Sequence, residues 1–120
     1  MSNQSKLHKR RADLLVDLVN NLNPKFYLNI CREVFYELGL IYSVMLDIKM
    51  DQLGNNSSNM PSPHALSKIN SLCNKSIFRF KEFLESYKDK IANLDSDELQ
   101  PVLFCYFHIG RKYYYYFLLF

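Results

Sequence analysis

Phe35-Tyr36-Glu37-Leu38-Gly39-Leu40-Ile41-Tyr42 lies in the middle of the longest apolar-periodic run of the chain. On a helix, residues three and four apart share a face, so Phe35, Leu38, Gly39 and Tyr42 form one stripe. The glycine removes a side chain where a second helix must come close. The stretch therefore predicts a helix whose aromatic stripe is covered by a neighbour.

The run around it extends from Pro24 to roughly Lys49, with Tyr27, Ile30, Cys31, Val34, Met45 and Ile48 adding to the stripe. So wide an apolar band predicts neighbours on two sides. Upstream, Leu7, Leu14, Leu15, Leu18 and Val19 recur at helical spacing from about Ser5 to Val19, opposite Lys9, Arg10, Asp13 and Asp17. Asn23 is placed to cap the second helix, with Pro24 at its first position. Downstream, the polar, Pro-containing stretch from Gly54 to Pro63 predicts a long mobile linker. Ser62-Pro63 then opens a third helix, His64 to about Asp89, with Leu66, Ile69, Leu72, Cys73, Ser76, Ile77, Phe80, Phe83, Leu84 and Tyr87 inward. After a turn through Asn93 to Ser96, with Pro101 closing the irregular approach, a fourth helix runs from about Leu99 to Tyr116. It repeats the opening spacing as Tyr106-x2-Ile109-Gly110-x2-Tyr113.

That spacing is the first-helix signature of a tetratricopeptide (TPR) unit, with Phe35 in the usual Trp position, and Ser76-x3-Phe80 falls where the second TPR helix carries small-x3-Phe. The fold expectation is all-α: four antiparallel helices of a TPR-like α-solenoid fragment, residues 1–120 forming one segment with a linker at about 54–63. Phe35, Leu38, Tyr42, Phe80, Ile109 and Tyr113 are assigned to the core, and Gly39 and Gly110 to two close approaches between helices. The block Tyr113 to Phe120 leaves no solvent face and is expected to be the truncated or mis-spliced end of a longer solenoid.

Composition narrows the function. The 120 residues are 48% hydrophobic and 15% aromatic, which supports a folded core and excludes a disordered tail. The net charge of +3 owes most to Lys6, Lys9, Arg10 and Arg11. One such cluster lacks the continuous basic face and aromatic platforms of a nucleic-acid domain, but can steer an acidic partner. Cys31, Cys73 and Cys105 are widely spaced and odd in number, which predicts free thiols in a reducing cytosolic setting. Met1 to Arg11 is polar apart from Leu7 and does not read as a secretory leader, and Tyr113 to Phe120 is far shorter than the ~20 residues that span a bilayer.

Catalytic chemistry finds little footing. Cys105-x2-His108 puts two zinc-ligand types on one helical face, but four ligands are needed and Cys31, Cys73, His8 and His64 supply no matching pair. Glu33 with Glu37, and Glu82 with Glu85, read as solvated faces. Gly39, Gly54 and Gly110 are isolated, so no phosphate-cradling loop exists. The expectation is a non-enzyme without cofactor, metal or small-molecule substrate. An enzyme would instead show a pocket with perturbed titratable groups.

Four blocks, Lys6-Leu7-His8-Lys9-Arg10-Arg11, Asn21-Leu22-Asn23-Pro24-Lys25-Phe26-Tyr27-Leu28, Lys68-Ile69-Asn70-Ser71-Leu72-Cys73-Asn74-Lys75-Ser76 and Glu98-Leu99-Gln100-Pro101, occur in the order found in the C-terminal part of the KIF-binding protein family. The resemblance covers about Lys6 to Tyr113, while the family's proteins are several times longer. It implies a TPR-like α-solenoid that binds kinesin motor domains and keeps them off microtubules, in the cytoplasm and associated with the cytoskeleton. Roles in axonal transport, axon growth, neurogenesis and mitochondrial distribution follow from the same resemblance. The family's N-terminal repeats are missing here. Lys81, Lys88 and Lys90, near the loop after the third helix, are the candidate motor contacts. The competing expectation is a generic TPR interaction scaffold or co-chaperone-type module that clamps acidic peptide tails.

Overall fold

Helix boundaries follow the caps that the chain carries. The computed structural model describes residues 3–55 and 61–120. It contains helices α1 (Asn3–Asn20), α2 (Leu28–Asn55), α3 (Pro63–Glu85) and α4 (Ser96–Leu119), with a short 3-10 turn at Ile91–Asn93. No strand occurs among the described residues, so the fold is all-α.

Ser62 caps α3 by accepting from the Ala65 N–H, with Pro63 at the first helical position, where its missing N–H is no loss. Asp95 does the same for α4 by accepting from the Glu98 N–H, and Asp97 and Glu98 place negative charge at the positive end of the helix dipole. That cap starts α4 ahead of the expected boundary, so Pro101 lies inside the helix. Its ring nitrogen has no proton to donate to the Asp97 carbonyl four residues back. Asn23 and Pro24 behave differently from expectation too. The Asn23 side chain accepts from the Lys25 N–H and its carbonyl from Phe26 and Tyr27, closing an isolated turn, and α2 begins only at Leu28. At its other end α2 runs on through Gly54 and Asn55, which therefore belong to the helix and not to the linker. Residues 56–60 of that linker lie outside the described residues.

Contacts fix the relative directions. Arg32 meets Ser86, Gly39 meets Phe80 and Ser43 meets Ser76, so α2 and α3 are antiparallel. Phe80 stacks on His108 while Asn74 accepts a hydrogen bond from Tyr116, so α3 and α4 are antiparallel as well. Ser43 and Asp47 of α2 reach Lys112 and Arg111 of α4, leaving α2 and α4 side by side against α3. Among the described residues, α1 packs on α2 and on no other helix.

The α2–α3 seam is closed by the opening stretch. A Cβ on Gly39 would stand 2.4 Å from the Phe80 ring, so only glycine admits this fully buried phenylalanine. Phe35, Leu38 and Tyr42 are buried beside it, and Tyr36 meets Phe80 edge-on at 6.1 Å. The second expected approach is absent. Gly110 has open space around it, and Tyr106 and Tyr113 are 54% and 51% exposed; only Ile109 of that set is buried. The reason is rotational: α4 meets its neighbours through Val102, Cys105, Ile109 and Lys112. Its other side, with Leu103, Phe107, Gly110, Tyr114 and Phe117, points outward. The repeated seam on which the solenoid expectation rests is thus realised once among the described residues.

α1 also turns differently from its reading. Ala12 and Val19 are buried, with Leu15 and Val16 packed against the core, whereas Leu7, Leu14 and Leu18 are exposed. These three leucines form a separate stripe roughly 100° around the helix. Tyr27 and Ile30, expected inward, are exposed because they precede or open α2 beyond its contact with α3.

Candidate functional site

The most unusual chemistry sits between α2, α3 and α4. The missing side chain at Gly39 uncovers its carbonyl, which accepts hydrogen bonds from Ser43 at 2.8 Å and Ser76 at 2.9 Å. Onto Ser43 Oγ, from α4, Lys112 donates at 2.5 Å, with its ammonium 5.6 Å from the centre of the Phe80 ring. Lys112 is 1% exposed and faces no carboxylate at hydrogen-bonding distance among the described residues. Burial, reinforced by the neighbouring Arg111 charge, lowers its pKa to about 8. Burial likewise pushes the Cys73 thiol up to about 11 and Cys105 up to about 12. His108 stacks on Phe80 at 5.4 Å, and burial lowers its pKa.

These groups are a packed centre. The thiols are held protonated and are poor nucleophiles or metal ligands. Cys105 and His108 do not converge with other ligands, since no three His, Cys, Asp or Glu side chains gather into a metal-holding group among the described residues. What the centre can do is fix the register of three helices, because each hydroxyl and the ammonium has a defined partner.

Binding capacity lies on the surface, at the two ends of the α2–α3 pair. At one end, a groove of about 230 Å³ between α1, α2 and α3 is lined by Lys9, Lys49, Lys68 and Lys75, with Ser5, Met45, Ser71 and Leu72. At the other, a groove of about 590 Å³ has Tyr36, Phe83 and Tyr87 beside Glu33, Glu37, Asp97 and Glu98. Arg32, the only cation lining it among the described residues, is turned inward. Its guanidinium donates to Ser86 Oγ at 3.0 Å and to the Ser86 carbonyl at 2.6 Å, and lies 3.9 Å over the Tyr87 ring. Arg32 thereby caps the end of α3 where carbonyls lack partners.

Of the residues singled out by sequence, Phe35, Leu38, Gly39, Tyr42, Ser76 and Phe80 come together in one seam. Tyr106, Gly110 and Tyr113 stand outside it. The three candidate contact lysines are exposed but not joined: Lys81 donates to the Tyr113 hydroxyl at 3.2 Å, Lys88 pairs with Glu85 at 2.9 Å, and Lys90 lies in the turn beyond. Sequence reading missed Lys112, although its place in the Val102, Cys105, Ile109 register was the available signal. It also missed the four-lysine groove, whose members are dispersed over three helices and converge only on folding.

No described helix is long and apolar enough to cross a membrane. The family described as KIF-1 binding protein C terminal matches residues 1–119. The chain is 38% identical over 118 residues to the KIF-binding protein of Drosophila melanogaster, covering 93% of this chain and 19% of that protein. Against the KIF-binding protein of Gallus gallus it is 39% identical over 112 residues, 90% of this chain and 18% of the relative. Against that of Homo sapiens the figures are 32% over 120 residues, 94% and 18%. The chain thus spans about a fifth of the length of these relatives. No solved structure matches.

Proposed function

The chain belongs to the family described as KIF-1 binding protein C terminal, and on that premise we propose that it is a non-enzymatic adaptor segment that binds kinesin motor domains. The observation that carries the reading is the match over residues 1–119, joined to relatives at 32% to 39% identity whose printed name is KIF-binding protein. The architecture suits the role, since a stack of helices presents grooves and faces without needing reacting groups. Occupying a motor's track-binding surface limits microtubule attachment by competition alone. Within this proposal the helices form part of a TPR-like solenoid working in the cytoplasm at the cytoskeleton. Its consequences reach microtubule-based transport, mitochondrial distribution and axon growth. Lys81, Lys88 and Lys90 are offered as motor contacts at the end of α3.

The test is equilibrium binding of the purified chain to a panel of isolated kinesin motor domains, with circular dichroism run alongside to establish helicity. Saturable binding that competes with microtubules is expected. A folded chain that binds none of the motors overturns the proposal.

A further inference from the structure

Among the described residues, the four-lysine groove is lined by cations without a carboxylate beside them. Lys9 comes from α1, Lys49 from α2, and Lys68 and Lys75 from α3, and no carboxylate contributes to the lining among the described residues. The carboxylates that do form ion pairs are committed elsewhere, to Arg11, Arg79, Lys88 and Arg111. Lys75 lies 5.8 Å from the centre of the Tyr42 ring, an attraction that leaves its charge intact. Like charges gathered at one place repel, and a ligand bearing carboxylates relieves that repulsion. The lining also includes two apolar side chains, Met45 and Leu72.

We propose that this groove binds an acidic protein segment in which a large apolar side chain, seated on Met45 and Leu72, is flanked by carboxylates that meet Lys9, Lys49, Lys68 and Lys75. Size and chemistry together select that occupant. At about 230 Å³ the groove is smaller than a typical small-molecule site and suits one side chain with its flanking backbone. Lysines are point charges, well matched to separate carboxylates. The lining has neither the arginine forks that grip phosphate in two places nor the aromatic platforms on which bases stack. The inference stands apart from motor binding and requires no kinesin.

Fluorescence anisotropy with a labelled peptide of alternating glutamate and leucine decides it, using the whole chain and variants checked for helicity. Lys49→Glu with Lys68→Glu is expected to weaken binding about tenfold or more, equivalent to roughly 1.4 kcal/mol. Lys6→Glu with Arg10→Glu, the same change of net charge on exposed residues outside the groove, is expected to weaken it less than about threefold. A peptide with serine in place of leucine should bind more weakly than the parent. Equal losses in the two double variants, indifference to the leucine, or tighter binding of an oligonucleotide of equal charge each overturns the proposal.

Discussion

Lys112→Met keeps an unbranched side chain, one atom shorter, and removes the charge from the centre of the three-helix contact. In the folded chain the ammonium has a pKa of about 8, against 10.5 for an ordinary lysine. A folded pKa below the unfolded one means that folding opposes protonation. Below pH 8 both states are charged and the burden is complete. Between pH 8 and 10.5 the unfolded chain binds more protons, so stability rises with pH, and above 10.5 the burden is gone. At about 1.36 kcal/mol per unit, the gap corresponds to roughly 3 kcal/mol at neutral pH. Methionine forfeits the charge-assisted hydrogen bond to Ser43, worth about 1.5 kcal/mol. Ser43 keeps its bond to the Gly39 carbonyl. The expected net gain at pH 7 is about 2 kcal/mol, in line with other replacements of buried charge by apolar groups. Urea unfolding followed by circular dichroism should move its midpoint up by about 1 M. The informative quantity is the difference between variant and parent from pH 7 to 9.5. That difference should shrink steadily as pH rises. A variant less stable at pH 7, or a difference flat across the range, would refute the reasoning.

Three further outcomes are expected. Gly39→Ala drives a methyl into the Phe80 ring and should lose about 2 kcal/mol, the overpacking exceeding the helix-propensity gain, whereas Gly110→Ala in open space should gain about 0.5–1 kcal/mol. Denaturation midpoints shifting the same way in both would contradict the assignment of one seam. Arg32→Lys cannot reproduce both contacts to Ser86 together with the stack on Tyr87, and should cost about 1–2 kcal/mol with faster amide exchange at the end of α3. Unchanged exchange there would argue against the cap. Reversing Lys81, Lys88 and Lys90 together should weaken motor binding most at low salt; an affinity equal to that of the parent at every salt concentration removes them as contacts.

Four helices were legible because the periodicity of the chain is strong and one of its caps, Ser62, stands where a helix start needs it. Gly39 was legible for a local reason, since small-residue spacing and the aromatic stripe point to the same close approach. Gly110 carries the same spacing and misleads, because a motif records which residues share a face but not whether that face meets a neighbour. The same limit explains Leu7, Leu14 and Leu18, one of two apolar stripes on α1, of which only the other is covered. Pro24 was misplaced because the turn closed by Asn23 competes with helix initiation. Lys112 and the lysine groove depend on contacts between helices far apart in sequence, which no local pattern encodes.

Each of the three packed helices holds one cysteine, Cys31 in α2, Cys73 in α3 and Cys105 in α4, and all are shielded from solvent. The chain therefore contains its own set of chemical timers. A thiol-directed reagent reaches a given sulfur only when the helix around it swings open. Mass spectrometry of the modified sites reports which part of the stack loosens first and whether a bound partner holds it shut.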